Sequence, residues 1–427
     1  MLTGMALVVS ATTALAAPGD ADQTFGIAGF VATDLNGADD GHGAAVQHDG
    51  KIVVAASSRD GSRFVVLRYS TEGALDTSFS GDGVATTSFG RQASSFASDV
   101  AVQPDGTIVA VGATSRRAQR IAVVRYLPDG SLDPSFSGDG KVTTSIRSGG
   151  NSAAFAVAIR PDGRIVVAGT SGRSSVGRWD EDVALARYLP DGALDASFSG
   201  DGKLTTSFGG TEERATAIAI QADRKIVVAG ASSSGSRRGP YRWAVARYLP
   251  GGALDGSFAR DGRLTTSFGA KGDDWANDLA LQPGDGRIVV VGMAESAARS
   301  SFGIARYLPD GTLDASFSAD GKVRTSFGSL GEQAEGVVIQ GDGRIVVAGN
   351  RFVEAPDGTW SHVALARYVP GGILDDTFSG DGRARASFSD SKGEYVVDLV
   401  LQADGNVVTA GTAFRETYDV MAARFET

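Results

Sequence analysis

Three imidazoles, His42, His48 and His362, are the whole histidine complement of this 427-residue chain, and no cysteine accompanies them. A nucleophile triad would need its serine in a G-x-S-x-G turn, and the sequence has none. His42 and His48 share strand parity, but no third ligand follows at matching spacing, so no metal site is assigned. Carboxylates are plentiful and come in pairs: Glu212 with Glu213, and Asp273 with Asp274 beside Trp275. Single acids next to other polar groups include Glu332, Glu335 and Glu394. Two carboxylates ~5 to 9 Å apart hydrolyse glycosides. Aromatic rings beside carboxylates equally suit stacking on a sugar or anchoring a protein. Such rings stand in "GRWDED" (Trp179), "GPYRW" (Tyr241, Trp243) and "GTWSH" (Trp360, with His362). The candidate binding residues, read as loop residues on the one face that carries the variable loops, are therefore Trp179, Tyr241, Trp243, Trp275, Trp360, His362, Asp273, Asp274, Glu212 and Glu213, with no catalytic residue assigned.

What positions these residues is a repeat. An Arg-aromatic pair recurs at Arg68, Arg125, Arg187, Arg247, Arg306, Arg367 and Arg424, in steps of 57, 62, 60, 59, 61 and 57 residues. The pattern D-x-x-F-x-x-x-G begins at Asp22, Asp76, Asp133, Asp195, Asp255, Asp314 and Asp375. A turn followed by an apolar run, as in "PDGTIVAVG", also occurs seven times. Each unit reads as a small-residue strand, an Asp-Gly hairpin, a β-branched strand, the Arg-aromatic strand, a run of turns and a Thr-rich strand assigned to the solvated outer edge. No helical period is present. Repeats of this length with four strands each predict an all-β, seven-bladed β-propeller of four antiparallel strands per blade. The chain begins on an outer strand and ends on a third strand, so the N-terminal strand is expected to join the last blade and close the ring.

Arg and Asp keep a separation of eight residues in each complete copy. Strand alternation turns the Arg inward, where it needs a carboxylate. Arg68 with Asp76, Arg125 with Asp133, Arg187 with Asp195, Arg247 with Asp255, Arg306 with Asp314 and Arg367 with Asp375 are thus expected to be structural ion pairs, and Arg424 with Asp22 across the closure. The two Asp of "DPSFSGDG", Asp133 and Asp139, offer the alternative of calcium, but they lack the alternating D-x-D-x-D of strong calcium loops. The expectation is no cofactor.

Composition bounds the rest. The 58 glycines would suit a linker, yet 42% of residues are apolar, so the glycines belong to turns around a core. A net charge of −10 disfavours nucleic acid as a partner. Residues 1–17, apolar and ending in small residues, read as a signal peptide without its basic start, leaving 18–427 as a single propeller. No later run spans a bilayer. The phrase "RYLPDGSLDPSFSGDG" with "DVAVQPDGTIVAVG", repeated from Asp22 to Phe425, resembles the delta-60 repeat. That resemblance implies a bacterial β-propeller of exported or surface proteins and names no catalytic residue or ligand. The reading is a secreted or cell-surface monomer, non-catalytic, that binds a glycan or protein. The alternative is a carboxylate-based hydrolase or lyase at the same variable loops, with or without calcium.

Overall fold

The turn-and-run phrase closes a hairpin. In "QPDGTIVAVG" the N–H of Gly106 donates to the Gln103 carbonyl at 2.9 Å, and Gly106 takes φ +83°, which a side chain would strain. The run that follows, Ile108 to Val111, is buried throughout. The computed structural model describes residues 17–37, 39–58, 63–175, 178–233, 240–269, 272–296, 299–389 and 391–427. The expected leader lies outside them apart from its last residue.

Among the described residues, β1 (Phe30–Thr33) comes first. Blade 1 holds β2 to β5 (Asp39–Val46, Ile52–Ser58, Phe64–Tyr69, Val84–Thr87), and blade 2 holds β6 to β9 (Ser94–Val102, Ile108–Ser115, Gln119–Tyr126, Lys141–Thr144). Blade 3 holds β10 to β13 (Asn151–Ile159, Ile165–Ser175, Arg178–Tyr188, Lys203–Thr206), and blade 4 holds β14 to β17 (Glu213–Ile220, Ile226–Ser233, Tyr241–Tyr248, Arg263–Thr266). Blade 5 holds β18 to β21 (Trp275–Leu281, Ile288–Glu295, Ser300–Tyr307, Lys322–Thr325), and blade 6 holds β22 to β25 (Gly331–Ile339, Ile345–Ala355, Gly358–Tyr368, Arg383–Ala386). Blade 7 combines β26 to β28 (Gly393–Leu401, Val407–Phe414, Tyr418–Phe425) with β1. The seven first strands touch one another in a closed cycle, so they line the axis. The molecule is a seven-bladed propeller, four antiparallel strands per blade, closed by β1 against β28 with Phe30 opposite Ala423 and Thr33 opposite Val420.

The repeated Arg sits in a socket built by D-x-x-F. In blade 3, Arg187 Nε donates to Asp195 Oδ2 at 2.8 Å and Nη2 to Ser197 Oγ at 2.9 Å, while the guanidinium carbon stands 4.6 Å over the Phe198 ring. Its Nη1 donates to the Pro250 carbonyl of the next blade. The same Nε–Oδ2 contact measures 2.8 Å for Arg68 and Asp76, 2.7 Å for Arg125 and Asp133, 2.8 Å for Arg247 and Asp255, 2.8 Å for Arg306 and Asp314, and 2.9 Å for Arg367 and Asp375. Across the closure, Arg424 Nε lies 2.6 Å from Asp22 Oδ2 and Nη1 reaches the Thr71 carbonyl of blade 1.

The Thr-rich outer strand is not simply solvated. Its last Thr is buried and bonds the third-strand Tyr of the following blade: Thr87 with Tyr126 at 2.7 Å, Thr144 with Tyr188 at 2.8 Å, Thr325 with Tyr368 at 2.6 Å. Where blade 7 carries Phe425 in place of Tyr, the preceding outer strand ends in Ala386 in place of Thr, and the two pack together. Hydroxyl is matched by hydroxyl and methyl by ring, because an unpartnered buried O–H is costly.

Candidate functional site

Every axial strand breaks register with its neighbour once, between Gly41 and Ala44, Ala97 and Asp99, Ala154 and Ala156, Ala215 and Ala217, Ala276 and Asp278, Ala334 and Gly336, and Val396 and Asp398. A bulge leaves a residue unpaired and re-aims its side chain. The residues so released are His42, Ser98, Phe155, Thr216, Asn277, Glu335 and Val397, one per blade and all different. Together they border a cavity of about 500 Å³ on the axis.

Several of them also tie blades together. Thr216 Oγ1 donates to the Ala276 carbonyl at 2.9 Å, and Asn277 Nδ2 to the Ala334 carbonyl at 2.8 Å. His42 Nε2 lies 2.9 Å from Ser57 Oγ, and burial lowers its pKa, keeping the ring neutral. Glu335 accepts from Asn350 Nδ2 at 3.1 Å and from the Tyr395 hydroxyl at 3.2 Å. Burial pushes its carboxyl up to about 8, so it holds a proton at neutral pH.

One residue further along each axial strand lies a second ring, in which blades 2, 5 and 7 place Asp99, Asp278 and Asp398. Each carboxylate accepts the N–H of its own successor, and a second from the next blade: Val157 to Asp99 at 2.7 Å, Val337 to Asp278 at 2.8 Å, Ala44 to Asp398 at 2.7 Å. Burial raises all three, with the Asp398 charge adding to Asp99 and Asp278. Asp278 reaches about 8 and Asp398 about 6. These are inter-blade braces that also make the cavity wall acidic.

The ten residues named from sequence fall into separate places. Tyr241 and Trp275 meet between blades 4 and 5, with ring centroids 4.0 Å apart. Glu212 accepts the Tyr241 hydroxyl, and Asp273 Oδ1 accepts the Tyr241 N–H at 2.9 Å. Arg214, a cavity residue, lays its guanidinium 5.1 Å over Trp275, joining this aromatic pair to the axial site. Trp360 and His362 stand apart on blade 6. Trp360 stacks on Phe414 at 4.5 Å and donates Nε1 to Asp357, and His362 Nδ1 lies 2.9 Å from Glu394. Trp179 pairs with Ser174 in the blade 3 hairpin, and its side chain lies outside the described residues.

Three of the ten are corrected. Trp243 is fully buried in the blade 4–5 core, its Nε1 donating to the Met293 carbonyl at 3.1 Å, because it lies inside the third strand of blade 4, opposite Ala231, on the face turned to blade 5. Glu213 is buried, accepting from Phe208 N at 2.8 Å and Gly210 N at 2.5 Å. Asp274 is buried, accepting from Phe268 N at 2.8 Å and Glu295 N at 3.0 Å. Both acids fold the turn that enters their blade and have no surface to offer a ligand.

The two Asp weighed for calcium are both engaged. Asp133 takes Arg125 and Ser135, and Asp139 takes the Lys141 N–H at 3.1 Å. Among the described residues no group of three or more His, Asp or Glu is placed to hold a metal ion, and no helix is long and apolar enough to cross a membrane.

The family model "Domain of unknown function (DUF5122) beta-propeller" matches residues 47–79, 103–136, 160–198, 221–258, 284–317 and 340–378, together half of the chain. The chain belongs to this family. The DUF5122 matches run from the end of one axial strand to the Phe of the socket, and the seventh copy, divided between the two ends of the chain, goes unmatched. No curated protein matches the sequence. Among solved structures, a catalytically inactive virginiamycin B lyase from Staphylococcus aureus, with quinupristin, is similar at TM-score 0.51 and 10% identity, covering 93% of this chain and 99% of that one. A protein of unknown function from Dyadobacter fermentans follows at 0.46 and 10% identity, covering 93% and 97%. The polysaccharide lyase Uly1 aligns at 0.46 and 12% identity, covering 90% of each chain. At these identities the likeness is one of fold.

The bulge residues are what sequence reasoning missed as a set. A signal existed: each stands five residues before the Gln or Arg that directly follows its axial strand, as His42 before Gln47, Phe155 before Arg160 and Glu335 before Gln340. At that one register the copies differ in charge, size and polarity.

Proposed function

We propose that the chain is an exported, non-catalytic binding module that takes a glycan at the variable-loop mouth of its axial cavity. The carrying observation is the Tyr241–Trp275 platform, linked through Arg214 to the cavity ring. Rings of this kind cover the apolar face of a sugar, while Glu212, Arg214 and Asn277 offer acceptors and donors at its edge. The asymmetry of the bulge ring supports a single ligand over seven equal ones. Export rests on the apolar N-terminus that ends in small residues.

Calorimetric titration of neutral and acidic oligosaccharides tests the reading. The parent is expected to bind one of them, and Trp275→Ala to weaken that binding about tenfold or more, since an aromatic anchor contributes roughly 1–2 kcal/mol. Equal binding by parent and Trp275→Ala removes the site from this surface. A second reading follows from Glu335, a carboxyl that keeps its proton at neutral pH inside the cavity and so has the form of a general acid. Release of new reducing ends or unsaturated products by the parent, lost in Glu335→Gln, would make the protein an enzyme of glycans.

A further inference from the structure

Blade 2 carries a second concave site, away from the axis. Its floor is the face of the blade turned toward blade 1, where Thr114 lies opposite Arg120 and Thr143 opposite Ala122. The hairpin turn adds Arg116 and Arg117, and the segment entering the blade adds Phe89 and Gln92, enclosing a cleft of about 650 Å³. No carboxylate borders it. Arg116 donates Nη2 to the Arg91 carbonyl at 3.1 Å, and Arg116, Arg117 and Arg120 form no ion pair with any described residue. Cations beside several other turns are paired, Lys141 with Asp139, Arg263 with Asp261, Arg287 with Asp285. Three unpaired guanidinium groups around one hollow are the more unusual because the chain carries a net charge of −10.

The next blade shows what fills such a hollow when it is meant to be closed. At the register of Thr114, Arg120 and Thr143, blade 3 has Ser171, Asp182 and Thr205. Its entering segment places Arg147 where blade 2 has Gly90, and Arg147 bonds both Asp182 and Thr205. Blade 3 thus supplies its own cation and anion. Blade 2 has exchanged the Asp for Arg and the Arg for Gly, which opens the space and leaves it positive.

We infer that this cleft is an oxyanion site that takes a phosphate or sulfate group, free or as an ester. Guanidinium forks match the tetrahedral oxyanions in geometry, and several of them favour a dianion over a monoanion. The exposed Thr143 hydroxyl offers a neutral donor beside them, while Thr114, bonded to Ser95 at 2.9 Å, forms the closed floor. The site stands independently of the axial cavity.

Calorimetric titration of the full chain with inorganic phosphate, inorganic sulfate and acetate, at low ionic strength, reads it directly. Saturable binding of phosphate or sulfate is expected, with acetate weaker. Arg117→Ala with Arg120→Ala should weaken the binding about tenfold or more while the melting temperature stays put, because both side chains are exposed. Arg117→Gln with Arg120→Gln, which keeps much of the stems, should lose binding equally. Trp275→Ala should leave it unchanged. Competition by a sugar phosphate against a sulfated sugar then tells the two sources apart. Absence of saturation by either ion, acetate binding as tightly as phosphate, or unaltered binding in the double variants would overturn the assignment.

Discussion

At the scale of single residues, the strongest constraint is the guanidinium socket. Arg187 is almost wholly enclosed, and burial lowers its pKa against the pull of Asp195, yet Asp195, Ser197, the Pro250 carbonyl and the Phe198 face occupy its donors and its plane. Arg187→Ala is expected to cost about 3 kcal/mol, the low end for a broken buried pair, read from urea unfolding, because Asp195 keeps Arg164 Nε at 2.9 Å while the neighbouring carbonyl loses its donor. Parent-like stability would show that the pair contributes little. Glu335 behaves in the opposite sense. Its folded pKa lies near 8, above the ordinary glutamate value, so the folded state keeps a proton the unfolded chain gives up. The stability it contributes is full below about pH 4 and is lost as pH rises toward 8. Glu335→Gln preserves the acceptor for Asn350 and Tyr395 without the ionisable proton. The variant should equal the parent at pH 4 and exceed it by roughly 1–3 kcal/mol at pH 9 in denaturant titrations. A parent profile that does not fall over this range would mean Glu335 is ionised in the fold.

At the scale of elements, β1 and the axial bulges carry most of the meaning. β1 is four residues long, yet it covers the open side of β28, seats Phe30 against Phe388 at 4.3 Å and brings Asp22 under Arg424. Removing residues 18–34 should leave β28 as an exposed edge, and size-exclusion chromatography should then show association or loss of the folded species. A monodisperse, cooperatively melting truncation would count against closure as a requirement. The copies were legible in the sequence because Arg, Asp, Phe and the Asp-Gly turns answer to local geometry that recurs in every unit. The bulges were not, since register against the neighbouring strand is decided where seven sheets converge. Thr87 and its counterparts were misplaced as solvated for a related reason: the Tyr that buries each one belongs to another blade, about forty residues away. Trp243 read as a loop residue because the Arg- and Gly-rich stretch before it hides where its strand begins.

At the scale of the molecule, seven near-equal sectors present two kinds of surface. Uniform residues build the sockets and turns, while individuality shows in the bulge ring, the acids beside it, the Tyr241–Trp275 platform, the Trp360 corner of blade 6 and the arginine cleft of blade 2. Depressed carboxyls belong to the first kind: Asp195, Asp255 and Asp375 are held down to about 2 by Ser or Thr hydroxyls, backbone N–H groups and guanidinium charge, against the opposing effect of burial. The most strongly raised ones, Glu335, Asp99, Asp278 and Asp398, belong to the axis. The two groups set opposite slopes of stability against pH, acid loss from the sockets and alkaline loss from the channel. The pairing of the first strand with the last has a consequence for biosynthesis. Blade 7 cannot seat its outer strand, β1, until residues 418–425 have been made, so a prematurely terminated product leaves β1 without its partner. An incomplete chain is thereby left with a loose strand and an unclosed ring, open to association and cleavage in a way the finished chain is not.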